Sequence, residues 1–182
     1  MAFIEKTAFE PRMWNNRNND LQNIPGRFQT DGTDADCSAG FACVKGAHQA
    51  GGGYLMAQAA DGKGEVYFCN PGDVQRGMIG GNLYAEGVET LGLGAPAGRL
   101  ATYTKAIPGE TYAFGPGNFS TPVDAGTNIY ATIVNGLLVG SASAPAAGTG
   151  IYFVLDAGLG IDVFTEGNYA AFARYNMLCC EA

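Results

Sequence analysis

An all-β body, built as a small antiparallel sandwich or barrel and preceded by an extended N-terminal arm, is what this sequence predicts. Three observations carry the prediction. Short runs of β-branched and aromatic residues recur at intervals of about 8–12 residues, the spacing of sandwiches and barrels. Glycine, at 28 of 182 residues, and eight prolines punctuate the chain between them. No strand–helix alternation is visible, which excludes a parallel α/β architecture.

The arm comes first. Residues 1–36 differ from the rest, with Asn15, Asn16, Asn18, Asn19 and Asn23 crowded together and Pro11 blocking a continuing helix. Large apolar side chains are nevertheless spaced through the stretch, among them Met13, Trp14, Leu21, Ile24 and Phe28. Isolated apolar anchors in a polar strand suit an arm that grips a partner surface. The alternative is an arm that folds back on its own body.

Residues 37–182 form the predicted body. Residues 54–59 read as a strand ending at Asp61 and Gly62, and residues 65–69 (EVYFC) as a second, stopped by an Asn-Pro-Gly-Asp turn. Glycine recurs through residues 77–98 and rules out a long helix there. Residues 100–107 alternate and are rich in β formers. Residues 127–134 and 137–141 flank Asn135 and Gly136, a strong hairpin signal, because a type I′ turn needs positive φ twice. Residues 151–156, 161–165 and 169–179 follow as strands, the last with Tyr169, Ala171, Ala173, Tyr175 and Met177 on one face.

Composition narrows the function. The net charge is −7, and charged residues make up only 15%. Residues 1–30 carry four basic and three acidic groups, and the remainder six basic and fourteen acidic, so a slightly basic arm precedes an acidic body. With Lys and Arg scattered, nucleic-acid binding is not expected. No apolar run approaches the roughly 18–20 residues of a membrane span. Glu5, Lys6 and Glu10 interrupt the place where a secretory leader needs its apolar stretch, so an intracellular product is expected. The five cysteines, Cys37, Cys43, Cys69, Cys179 and Cys180, are odd in number and lack a Cys-x-x-Cys spacing. They fit reduced thiols acting as small apolar residues.

Candidate chemistry is sparse. Residues 92–98 are spaced GxGxxxG, not GxGxxG, and Pro96 prevents a clean helix start, so no dinucleotide site is expected. Asp31, Asp34, Asp36 and Ser38 lack the glycine and glutamate of an EF-hand loop, because Ala39 and Lys45 occupy those positions. They read as a solvated acidic hinge or a loose calcium site. Cys43 with the single histidine, His48, is a candidate nucleophile–base pair without an orienting third group. Glu86 and Glu89 are a candidate carboxylate pair. Asn118 begins a glycosylation sequon with no leader to make it meaningful. The expectation is a non-enzyme, with no catalytic, cofactor-binding or metal-binding residues. Few lysines and many tyrosines and phenylalanines suit a surface used for contacts, or a β core filled by aromatics.

The arm (residues 1–28), the turn-rich middle and the final section from residue 128 to residue 178 together resemble, in architecture, the capsid decoration (cement) proteins of tailed bacteriophages. The resemblance implies a virion protein made in the host cytoplasm that sits as a homotrimer on the capsid surface. There it would reinforce contacts between major capsid protein subunits. It implies that the arm is the partner-binding element, with Phe3, Ile4, Phe9, Trp14, Leu21, Ile24 and Phe28 as apolar anchors. Arg12, Arg17 and Arg27 would pair with acidic groups on the shell. A tail-tube, head-completion or fibre protein, or a carbohydrate-binding β-module, is the alternative.

Overall fold

The computed structural model describes residues 7, 9–12, 23–71, 75–79, 82–86, 94–164 and 172–182. In chain order the strands begin with β1 (Phe9–Arg12), β2 (Asn23–Thr30), β3 (Thr33–Asp34) and β4 (Cys37–Ser38). They continue with β5 (Ala42–His48), β6 (Tyr54–Gln58), β7 (Val66–Asn70), β8 (Gln75–Ile79) and β9 (Asn82–Glu86). Next come β10 (Gly94–Ala95), β11 (Ala101–Lys105), β12 (Thr111–Phe114) and, after a 3-10 turn at Pro116–Asn118, β13 (Phe119–Thr121). The last are β14 (Tyr130–Val134), β15 (Leu137–Ser141), β16 (Ile151–Leu155), β17 (Ile161–Phe164) and β18 (Phe172–Glu181). The all-β expectation holds.

Five of these strands close a barrel in the order β11-β7-β5-β6-β2, because β11 pairs with β2 as well as with β7. Tyr103 on β11 lies opposite Cys69 on one side and Ile24 on the other. Closure removes the free edges that an open sheet of this size would expose. The β2–β6 pairing is parallel and the other barrel pairings are antiparallel. A ring of five strands is narrow enough for side chains to fill. Its interior holds Phe28, Phe41, Cys43, Met56, Tyr67, Cys69 and Tyr103, together with Cys37 and Ala95 from the short β4–β10 pair.

Eight further strands form a curled sheet in the order β1-β12-β18-β16-β14-β15-β13, with β17 beside β16 along the same edge of β18, while β8 and β9 pair as a separate hairpin. The inner face of the curled sheet packs Tyr112, Phe114, Ile133, Leu138, Phe153 and Met177 against Ala42, Val66 and Phe68 of the barrel wall. Side chains on a strand alternate between faces. On β7, Tyr67 and Cys69 therefore point into the barrel while Val66 and Phe68 point into the second core. This explains why EVYFC reads as an unbroken apolar run: both faces of the strand are buried.

Two type I′ turns set the register of their hairpins. Asn135 and Gly136 have φ of 48° and 79° between β14 and β15, as the sequence predicts. Asp31 and Gly32, at 51° and 75°, do the same between β2 and β3, where an acidic hinge is the sequence expectation. Gly136 also lies under the Phe41 ring, where a Cβ would collide. That turn docks on the barrel through Ala42 N–H to the Gly136 carbonyl (2.9 Å), and through Gly136 N–H to the Ala59 carbonyl (2.8 Å).

The arm boundary needs correction. Residues 23–36 belong to the body, because β2 is a barrel stave and β3 its hairpin partner. Even β1 is a sheet strand, its Phe9 paired in register with Phe114. The physical reason is the closure itself: without β2 the barrel has two open edges.

Candidate functional site

The ten residues assigned to a partner-gripping arm do not form one external surface. Phe28 is 2% exposed in the barrel core and meets Phe41 edge-on at 5.8 Å. Ile24 packs on the same core. Phe9 stacks on Tyr112 at 5.8 Å and sits 5.3 Å from Phe68. These three are internal anchors, because the chain's own aromatics occupy the surface a partner would have offered. Arg27 pairs with Asp34 (Nε to Oδ1, 3.3 Å) across its own hairpin. Arg12 ends β1 opposite Thr111. Phe3, Ile4, Trp14, Arg17 and Leu21 lie outside the described residues.

Two other sequence candidates dissolve on inspection of the fold. Cys43 points into the sealed barrel, whereas His48 is exposed and meets the Tyr54 ring at 5.1 Å, so the two do not form a nucleophile–base pair. In the acidic stretch, Asp34 accepts from Gln29 Nε2 (2.8 Å) and Asp36 accepts from the Ala97 backbone N–H (2.8 Å). Among the described residues no group of three or more His, Cys, Asp or Glu side chains is arranged to hold a metal ion. Glu86 ends β9, and Glu89 lies outside the described residues. Asn118 is an internal strut: its Oδ1 accepts from Gly115 N–H (3.0 Å), and its Nδ2 donates to the Ala39 carbonyl (2.7 Å).

Three features remain as candidate sites. The first is a charged cluster at one mouth of the barrel, on the inward-facing side of its strands. Glu65 accepts from Lys105 Nζ at Oε1 (2.6 Å) and from the Tyr67 hydroxyl at Oε2 (3.1 Å), with Lys45 Nζ 3.2 Å from that same Oε2. Those donors, Lys105 foremost, hold the Glu65 carboxyl down to about 2. Lys45 also lies over the Tyr54 and Tyr67 rings, at 5.3 and 5.8 Å.

The second is an exposed apolar strip at the far end of the curled sheet. Ile161 and Val163 on β17 lie opposite Tyr175 and Ala173 of β18. Cross-strand partners share a face. Tyr175 packs on the second core and on Phe119 at 4.9 Å. The core-facing side of the sheet therefore runs on past the barrel, and there Val163 is 64% and Ile161 40% exposed, beside an exposed Leu159. Among the described residues β17 is paired on one side only.

The third is a cluster of thiols inside the barrel. Cys37 Sγ lies 3.8 Å from Cys43 Sγ, and Cys69 Sγ lies 3.5 Å from the Cys37 carbonyl. Burial, then the contact with Cys43, pushes the Cys37 thiol well up; at Cys69 the contact with Cys37, then burial, does the same. The Tyr103 hydroxyl is buried beside them without a hydrogen-bond partner. Burial, then the adjacent Cys37, pushes its pKa up too. Sequence reading treats each cysteine as a small apolar residue; nothing in their spacing shows that two barrel staves and the β4 segment bring three together.

No family model matches the chain, and neither a curated protein nor a solved structure does.

Proposed function

We propose that the chain is a virion structural protein that binds the outside of a phage capsid as a homotrimer and reinforces contacts between major capsid protein subunits. The observation that supports this reading is the strip of Leu159, Ile161 and Val163. Ile161 and Val163 lie on the core-facing side of the sheet and are exposed there, with Leu159 in the turn before them, and among the described residues β17 has no strand on its other edge. Apolar side chains left in that position are better buried against a partner, at about 25 cal/mol per Å² removed from water. With Phe9, Ile24 and Phe28 committed to the interior, the contact falls to this strip rather than to arm anchors. A small contact per copy suffices on a lattice, where many copies act together.

Val163→Asp tests the reading, since the side chain is mostly exposed and its loss spares the core. The variant is expected to keep its melting temperature within about 2 °C. Its co-sedimentation with capsids should fall at least tenfold, the equivalent of about 1.4 kcal/mol. Undiminished co-sedimentation would reject the strip as the contact. Light scattering should give the mass of three chains.

A second reading, a carbohydrate-binding β-module, draws support from the cluster at the barrel mouth, where the Tyr54 ring is flanked by Lys45 and His48. Retention on a glycan panel that disappears in Tyr54→Ala would favour it.

A further inference from the structure

Enclosure of three thiols in one small apolar space has a chemical consequence independent of the capsid reading. Cys37, Cys43 and Cys69 are each at most 1% exposed. They arrive from different places. Cys43 and Cys69 are on neighbouring barrel strands β5 and β7, and Cys37 is on β4, whose partner strand β10 approaches so closely that a Cβ on Gly94 would strike the Cys37 carbonyl. This fit pins Cys37 between the other two. Its sulfur already contacts that of Cys43 at 3.8 Å, and the Cys69 thiol points back at the Cys37 backbone. The thiols are surrounded by Phe28, Phe41, Met56 and Tyr103, and of these four Tyr103 alone carries a polar group, its hydroxyl beside Cys37. Their contacts to the carbonyls of Ser38 (3.9 Å) and Phe41 (3.6 Å) are long.

We propose that the barrel interior is an oxidation site, in which Cys37 and Cys43 close to a disulfide on meeting a peroxide, with Cys69 as the alternate partner of Cys37. The steps balance. A thiolate at one cysteine attacks a peroxide oxygen, breaking the O–O bond and leaving a sulfenic acid and hydroxide. The second sulfur displaces the sulfenic oxygen as hydroxide and forms the S–S bond. The two thiol protons convert both hydroxides to water, so two thiols lose two electrons and the peroxide gains them. The closed barrel opposes the thiolate, so attack takes place while the barrel is transiently open. It favours the product, because a disulfide carries neither charge nor unpaired donor and suits an apolar interior.

The chain is convenient for the test. Trypsin, cutting after Arg27 and Lys45, places Cys37 and Cys43 on one peptide, 28–45, and cutting after Lys63 and Arg76 places Cys69 on another, 64–76. Folded protein is treated with hydrogen peroxide, quenched, unfolded in iodoacetamide, digested without reductant and weighed by mass spectrometry. The expected product is peptide 28–45 without alkylation and lighter by two hydrogens. Full alkylation of both cysteines, or added oxygen without a link, would overturn the proposal. In Cys43→Ser the link should move to Cys37–Cys69, joining peptides 28–45 and 64–76. Because these cysteines are 32 residues apart, that product depends on the fold. Alkylation of both in that variant would remove Cys69 from the site.

Discussion

Glu65 is half-exposed, yet two ammonium groups and a phenol converge on it and hold its carboxyl down from the usual 4.5 to about 2. A carboxylate whose folded pKa is depressed adds stability above its unfolded pKa and loses it as pH falls towards the folded value. The stability difference between the native chain and Glu65→Gln should therefore be full above about pH 5 and shrink between pH 4.5 and 2. It should also shrink in 1 M NaCl, since the pair is open to solvent. Urea midpoints across that range measure it, and a difference unchanged from pH 6 to pH 2 would exclude the effect. The residue types were readable here, since Lys45, Glu65 and Lys105 all stand in the sequence. Their convergence was not, because Lys105 reaches Glu65 from a strand 40 residues away.

Among the elements, β2 departs most from what its sequence suggests. Its stretch lacks a clean period, with Pro25 and Gly26 in the middle, and it reads as arm. In the fold both residues have a use. Gly26 leaves room for the Met56 and Tyr103 side chains, which a Cβ would strike, and Pro25 sits in register with Thr102 where β2 meets β11. Phe28→Ala distinguishes the two readings directly. In a detached arm it would leave stability unchanged, whereas in the barrel core it should cost about 3–5 kcal/mol, measured by urea unfolding. The elements that did read correctly, among them β6, β7, β11 and the β14–β15 hairpin, carry local signals: alternation, β-branched runs and an Asn-Gly turn. An equally local signal, Asp31 and Gly32 between Gln29–Thr30 and Thr33–Asp34, was hidden by its acidic neighbours.

At the scale of the whole molecule, the barrel core and the core beneath the curled sheet lie on opposite faces of β5 and β7, whose alternate side chains fill both. The β14–β15 turn is hydrogen-bonded into the barrel as well. Neither part can lose its packing without exposing the other's wall, so the two should unfold together. Phe28→Ala in the barrel and Phe153→Ala in the second core should each lower one common midpoint in calorimetry. Two separable transitions, each moved by only one variant, would show independent units.

By itself, the sequence determined the secondary-structure type, the positions of most strands from residue 54 onward and the Asn135–Gly136 hairpin, because these depend on neighbours within a few residues. Only the tertiary structure decided that β2 closes a barrel, that Phe9, Ile24 and Phe28 are interior, that three cysteines meet, and that Ile161 and Val163 lie on the core side of the sheet yet are exposed. Each of these depends on which strands pair. Pairing is settled by closure and by burial on both faces of shared strands, two properties that no local window of residues contains.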